Sequence, residues 1–258
     1  MKINGLEIRF PKDSDNLDQD EEWFEIKREG ETTRLRLHDY NKIFKYPGLY
    51  EGVVYDHLKC NSPEVVCELL NKELGGWLED QEELHVLDLG AGNGMVGEQL
   101  QEYAEIDTLV GVDIFPQAKA ATERDRPGLY DHYCVTDLCE EQGVKEIANM
   151  GVDYNLMVTV AALGYGDIPV EAFLNAYNVL EEGSLVAFNI KDRFMSDQDD
   201  TGYNDTIQSM CQDSFEVLHT QKYQHRLSLA GDPLEYVAVV GKKIAEADPD
   251  SCLVDLAS

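Results

Sequence analysis

No run of ~18 or more apolar residues occurs in this sequence, so no membrane-crossing helix is expected. The opening, Met1-Lys-Ile-Asn-Gly-Leu-Glu-Ile-Arg-Phe10, alternates like a strand and lacks the apolar block of a secretion signal, so a cytoplasmic location is expected. The six cysteines (Cys60, Cys67, Cys134, Cys139, Cys211 and Cys252) form no CxxC pair and no regular spacing. That disfavours a disulfide framework or a zinc site and fits reduced thiols. No other constellation of metal ligands, no internal repeat and no low-complexity segment is present. Basic side chains are scarce, 21 against 51 acidic ones, for a net charge of -30. Nucleic-acid binding depends on Lys and Arg neutralising phosphates, and anionic membranes also attract basic surfaces, so neither partner is expected. The acidity itself has two readings. It is a solvated coat that keeps the protein soluble, or an adaptation to high salt, where screening relieves self-repulsion.

At 258 residues the chain is long enough to bury a sizeable core. Residues 1 to 10 read as a small hairpin or edge strand turning at Asn4-Gly5. Lys12 to Glu22 is acidic and reads as a surface loop, and Trp23–Arg28 and Thr32–His38 read as a second hairpin. Asp39 to Cys60 is rich in aromatics: Tyr40, Phe44, Tyr46, Tyr50 and Tyr55. Ser62 and Pro63 mark a helix start, with Ser62 as the cap, and Gly75-Gly76 is expected to end that helix after Leu74. Strands are then expected at His85–Leu89, Thr108–Asp113, Asp131–Val135, Leu156–Val160 and Ser184–Ile190. Helices are expected at Met95–Tyr103, Gln117–Arg124, Glu140–Met150, Val170–Leu180 and Tyr203–Cys211. Such alternation predicts an α/β fold with a mostly parallel sheet covered on both faces. Glu216–Ser228 and Leu234–Lys242 predict a closing antiparallel hairpin. The organisation is therefore read as an extension over 1–61, a core domain over 62–243 and an acidic, disordered tail over 244–258.

The stretch from Leu84 to Gly97 carries most of the function. An apolar strand, Val86 to Leu89, breaks at Gly90, Gly92 and Gly94, and a helix resumes at Met95. Strand, glycine turn and helix bring bare backbone against a nucleotide-like ligand. A Cβ would hold that ligand away, and the turn favours positive φ. Three acids stand at or near the ends of the first three core strands: Asp88, Asp113 and Asp137. An acid after the second strand is placed to accept both hydroxyl hydrogens of a ribose.

On Asp88-Leu-Gly-Ala-Gly-Asn-Gly94, Asp113-Ile114, Asp137-Leu138 and the closing strand pair, the chain resembles the class I S-adenosylmethionine (SAM)-dependent methyltransferases, of the small-molecule type. The resemblance covers residues 62 to 243, with the glycine motif its most specific part. It implies a Rossmann-like sheet and SAM as cofactor. It also implies that Gly90, Ala91, Gly92 and Gly94 cradle the methionine portion and that Asp88 helps hold its amino group. By the same resemblance Asp113 binds the ribose hydroxyls, Ile114 packs on adenine, Asp137 accepts from the adenine amino group and the Leu138 backbone completes that contact. A NAD-dependent oxidoreductase is the rival, because Gly92-Asn-Gly94-Met-Val-Gly97 also satisfies GxGxxG. Asp88 two residues before the first glycine, the third acid and the closing hairpin favour SAM.

A sulfonium methyl is already electrophilic, so no catalytic triad is needed. Orientation alone supplies on the order of 7–11 kcal/mol, and a base is required only for a protonated nucleophile. The fourth core strand ends in Thr159-Val-Ala-Ala-Leu-Gly-Tyr-Gly-Asp167, without the Asp/Asn-Pro-Pro-aromatic or Pro-Cys boxes of DNA-methylating relatives. Transfer to an O, N or S atom of a small molecule is therefore expected, by a monomer or homodimer. Tyr165, His225 and Tyr55 are the candidate catalytic side chains, each with a packing role as the alternative. His38 and His57 are candidates for a base on the same footing as His225, and Asn189 or Lys191 for orienting a polar substrate. The aromatics of 40–55 form either an active-site lid or the packing of the extension on the core; as a lid their faces suit a sulfonium or an amine. A SAM-binding module that docks a basic partner protein, without catalysis, is the remaining alternative.

Overall fold

A computed structural model of the chain describes residues 1–11, 17–196 and 198–248. Largely apolar runs form the strands β5 (His85–Leu89), β6 (Thr108–Asp113), β8 (Leu156–Thr159) and β9 (Leu185–Lys191), and β7 (His132–Val135) adds a more exposed edge strand. β5, β8 and most of β9 are buried on both faces, which is why they read as continuous apolar runs rather than alternating ones. Between them lie α4 (Met95–Leu100), α5 (Pro116–Asp125), α6 (Glu141–Ala148) and α7 (Val170–Asn178), then α8 (Tyr203–Asp213) and the long strands β10 (Phe215–Leu227) and β11 (Pro233–Lys243). The sheet order is β10-β11-β9-β8-β5-β6-β7. β5 to β9 are parallel, and β11 inserts antiparallel between β9 and β10. This is the mostly parallel α/β sheet with an antiparallel end that the alternation predicted.

The N-terminal residues form a separate four-stranded antiparallel sheet: β1 (Lys2–Ile3), β2 (Leu6–Arg9), β3 (Trp23–Arg28) and β4 (Glu31–Arg36). Its inner face packs Leu6, Ile8, Phe24, Ile26 and Leu35 with Leu49 and Val53 from the segment that follows. That segment holds the short helices α1 (Tyr40–Ile43) and α2 (Leu49–Glu51) and a π-helical turn over Gly52–His57. It leads into α3 (Ser62–Leu78).

Four expectations are corrected. First, α3 is capped at Asn61, not Ser62, whose hydroxyl is turned inward to Tyr223 and His225. Second, α3 does not stop at Gly75-Gly76 but continues to Leu78, because Trp77 anchors its end by donating from Nε1 to the Gly183 carbonyl at 3.1 Å. Third, Lys12–Glu22 is not wholly a surface loop: residues 12–16 lie outside the described residues, but Gln19 and Glu22 are buried. Fourth, the tail docks at its start. Ala247 is buried and exchanges backbone hydrogen bonds with the Asn178 side chain, while residues 249–258, including Cys252, lie outside the described residues. Among the described residues, no helix is long and apolar enough to cross a membrane, and no group of His, Cys, Asp or Glu could hold a metal ion.

Candidate functional site

In an open parallel sheet the ligand crevice lies at the carboxyl ends of the strands, where strand order reverses. Here that point is β5, flanked by β6 on one side and β8 on the other. A cleft of about 270 Å³ opens there. The turn after β5 forms its floor. The Gly90 and Ala91 N–H groups donate to the Val112 carbonyl at 2.8 and 3.0 Å, which draws the turn against β6. The Gly92 carbonyl accepts from the Tyr133 hydroxyl at 2.6 Å and the Thr122 hydroxyl at 2.9 Å. Gly90 sits at φ +74°, and a Cβ there would lie 3.0 Å from both Ala162 Cβ and Ile168 Cδ1. The turn therefore needs glycine for its backbone angle and for the closeness of the opposite wall.

Asp113 ends β6 and lines the cleft. Its two oxygens accept from the Gly92 N–H at 3.0 Å and the Phe115 N–H at 2.8 Å, so the carboxylate is fixed in place. Burial raises its pKa, and these backbone donors oppose the rise. Ile114 beside it is 51% exposed, an apolar side chain left open at the mouth. Asp137 is exposed and accepts from the Cys139 N–H at 2.8 Å; Leu138 is buried, and both line the cleft. Gly90, Gly92, Asp113, Ile114, Asp137 and Leu138 are thus brought onto one cavity.

Ala91, Gly94 and Asp88 are not on its wall. Gly94 caps α4 in a left-handed conformation. Asp88 is buried beneath the turn, where its Oδ2 accepts from the Tyr130 hydroxyl at 2.6 Å and its Oδ1 has no partner among the described residues. Burial pushes its pKa up to about 7 against that hydrogen bond. The resemblance put Asp88 on the ligand; the structure puts it one layer behind.

The side wall comes from the N-terminal segment: His38, Tyr40, Phe44 and Tyr50 all line the cleft. The wall is pinned. Arg124 donates to the Phe44 carbonyl at 3.1 Å, and Glu51 accepts from Asn93 and Arg126, each at 2.8 Å. Deeper, Gln19 donates to the Tyr236 hydroxyl at 2.7 Å, and Arg226 pairs with Glu22 at 2.7 Å with side chains only 5% and 3% exposed.

A second, smaller cavity of about 30 Å³ adjoins the cleft and shares His38, Tyr40, Tyr50, Ala161 and Asp167 with it. Tyr165 and His225 line this one, not the cleft. Tyr165 accepts from Lys191 and stacks edge-on against Phe194, and burial raises its pKa. His225 is buried, 2.6 Å from the Ser62 hydroxyl; burial holds its pKa well below the ordinary value, with Arg226, Lys191 and His38 adding to the effect. Tyr55 lines neither cavity and packs its ring on Tyr50. His57 stacks on Phe10 away from the site. Asn189 does not face a substrate either: it is fully buried, accepting from the Ala161 N–H and donating to the Tyr223 hydroxyl.

Sequence reasoning did not single out Asp167, which lines both cavities. Its Oδ2 lies 2.8 Å from His38 Nδ1 and accepts from the Tyr40 hydroxyl at 3.4 Å. Its position at the end of the loop after the fourth core strand was the available signal. Tyr130, the partner of Asp88, had none.

Several solved structures share this architecture. The N-methyltransferase NodS from Bradyrhizobium japonicum WM9, in complex with S-adenosyl-L-homocysteine (SAH), matches with a TM-score of 0.52 at 14% identity, over 80% of this chain and 97% of that one. A SAM-dependent methyltransferase from Anabaena variabilis matches equally well, 0.52 at 14% identity over 81% and 96% of the two chains. A third, from Clostridium acetobutylicum, gives 0.52 at 12% identity over 81% and 100%. The fold is that of the class I SAM-dependent methyltransferases. No protein-family model and no curated protein sequence matches the chain. At these identities the methyltransferase fold is what the likeness establishes.

Proposed function

We propose that this protein is a methyltransferase that moves the methyl group of SAM to an O, N or S atom of a small-molecule acceptor. One observation carries the reading: Asp113, fixed by two backbone donors at the end of β6, opens on the same cleft as the glycine turn, Ile114 and Asp137. The residues fit the group. Gly90 and Gly92 leave the space that a Cβ would take, suited to the methionine portion. Asp113 retains lone pairs for two ribose hydroxyls, Ile114 offers an apolar face for adenine, and Asp137 has acceptor capacity for an exocyclic amine. A 2′-phosphate would meet the Asp113 carboxylate, which disfavours one dinucleotide.

When bound, SAM supplies a methyl group already activated by its sulfonium. The protein's part is then to bind, orient and exclude water. Tyr40, Phe44 and Tyr50 cover one side of the cleft, and Ala161, Ala162 and Ile168 from the loop after β8 cover the other. Holding the nucleophile in line is the main catalytic contribution. The net charge of -30 supports a small acceptor over nucleic acid, and cysteines that are free among the described residues suit a reducing cytoplasm.

The test is calorimetry followed by turnover. SAH is expected to bind with an affinity on the order of micromolar, and NAD not at all. Transfer of label from SAM to a metabolite panel then separates an enzyme from a SAM-binding module. NAD binding in place of SAH would overturn the proposal.

A further inference from the structure

The small cavity beside the cleft has a chemical character of its own. Four tyrosines, Tyr40, Tyr50, Tyr165 and Tyr236, line it, and its volume leaves space for about two water-sized groups. Its charges largely cancel. Arg226 is neutralised by Glu22, which also accepts from the Leu229 N–H. Lys191 and Arg193 do not line it; they lie over the Tyr165 ring and share one carboxylate, Asp18, at 3.8 and 3.1 Å. His225 is kept neutral by burial. What remains is Asp167, whose Oδ1 has no hydrogen-bond partner among the described residues, and His38, held by Asp167 through Nδ1 with no partner for Nε2 among the described residues. Both residues line both cavities, at the point where they join.

We infer that this pocket receives the amino group of a small alkylamine, with Asp167 as its counter-ion and His38 as the base that removes its proton. The inference rests on the methyl-transfer reading above. Aromatic faces and a carboxylate, Asp167, that pairs with no Lys or Arg among the described residues attract a cation and offer little to an anion. An alkylamine arrives as an ammonium, which has no lone pair, so it cannot react until a proton leaves. With Nδ1–H donating to Asp167, the neutral imidazole presents Nε2 as the acceptor. The proton passes from nitrogen to His38 Nε2. The freed lone pair forms the N–C bond as the methyl carbon's bond to sulfur breaks, its electron pair staying on sulfur. The product is a methylated ammonium and a neutral thioether, and His38 returns its proton to water through the open cleft.

Calorimetry on the full chain comes first with SAH alone; absence of binding would sink the methyltransferase reading itself. With SAH saturating, n-butylamine, n-butanol and butyrate are titrated. The amine is expected to bind roughly tenfold or more tightly than either isostere, and Asp167→Asn to abolish that preference. Transfer from labelled SAM is then measured to n-butylamine and to 2,2,2-trifluoroethylamine, which is mostly unprotonated at neutral pH. His38→Gln is expected to lower kcat on butylamine by roughly 10²-fold or more, and on the fluorinated amine by less than about tenfold. SAH binding with the alcohol or acid preferred, or with no amine bound, overturns the amine assignment and leaves the wider proposal standing. Equal losses on the two amines overturn the role of His38.

Discussion

On the proposed function, Asp113 is the residue on which SAM binding turns, because its carboxylate is held in place by two backbone donors. Asp113→Ala removes an acceptor worth about 1.5–3 kcal/mol per charged hydrogen bond. SAH affinity should fall by roughly tenfold to more than a hundredfold in calorimetry, with the far-UV spectrum unchanged. Asp88 calls for a different experiment. Its folded pKa of about 7 lies above the unfolded carboxylate value. The native state therefore holds a proton that the unfolded chain has released, and this carboxyl's contribution to stability declines as pH rises from about 4 to about 7. Asp88→Asn cannot ionise, so its melting temperature relative to wild type should climb across that window and level off above it. A difference independent of pH would contradict the assignment. Gly90, Gly92, Asp113 and Asp137, which share the cleft, were readable because their spacing is local. The Asp88–Tyr130 bond spans 42 residues and His38–Asp167 spans 129, and no local pattern announces either.

At the scale of elements, the strands of the core were legible almost to the residue, because burial on both faces writes an unbroken apolar run in β5, β8 and most of β9. Helix ends were less so. Gly75-Gly76 has the look of a stop, yet α3 passes through it, because Trp77 on the far side is held by Gly183. The two glycines are therefore a local cost tolerated for a distant contact. Both are exposed and helical, and a Cβ at either would meet nothing within 4 Å. Gly75→Ala and Gly76→Ala should each stabilise the protein by about 0.5–1 kcal/mol in urea denaturation. The loop after β8 shows the opposite economy. Ala161 and Tyr165 adopt positive φ, at 56° and 52°, and the buried Asn189 side chain holds the Ala161 N–H. Strain of this kind gathers where a site is being shaped, and a sequence does not display it.

For the whole molecule, two features set behaviour. The first is charge: self-repulsion at net -30 weakens the folded state and is relieved by salt. The melting temperature should rise with KCl from dilute buffer upward. Loss of structure in dilute buffer would mark adaptation to high salt, and an intact fold would mark a simple solubilising coat. The second is the attachment of the N-terminal sheet to the core through Glu22–Arg226 and Gln19–Tyr236. Arg226→Met strands a buried carboxylate and should cost about 3–5 kcal/mol by urea denaturation, while Glu22→Leu with Arg226→Met should recover much of it.

Those two bonds join residues 204 and 217 positions apart, one partner near the start of the chain and the other on the final hairpin. During synthesis the first sheet leaves the ribosome long before anything exists for it to hold, and at translation speeds it waits for tens of seconds. The small cavity lined by Gln19, Arg226 and Tyr236 is therefore finished last of all. A nascent chain halted short of β11 would own a glycine turn and the carboxylate beside it, but no closed chamber around them.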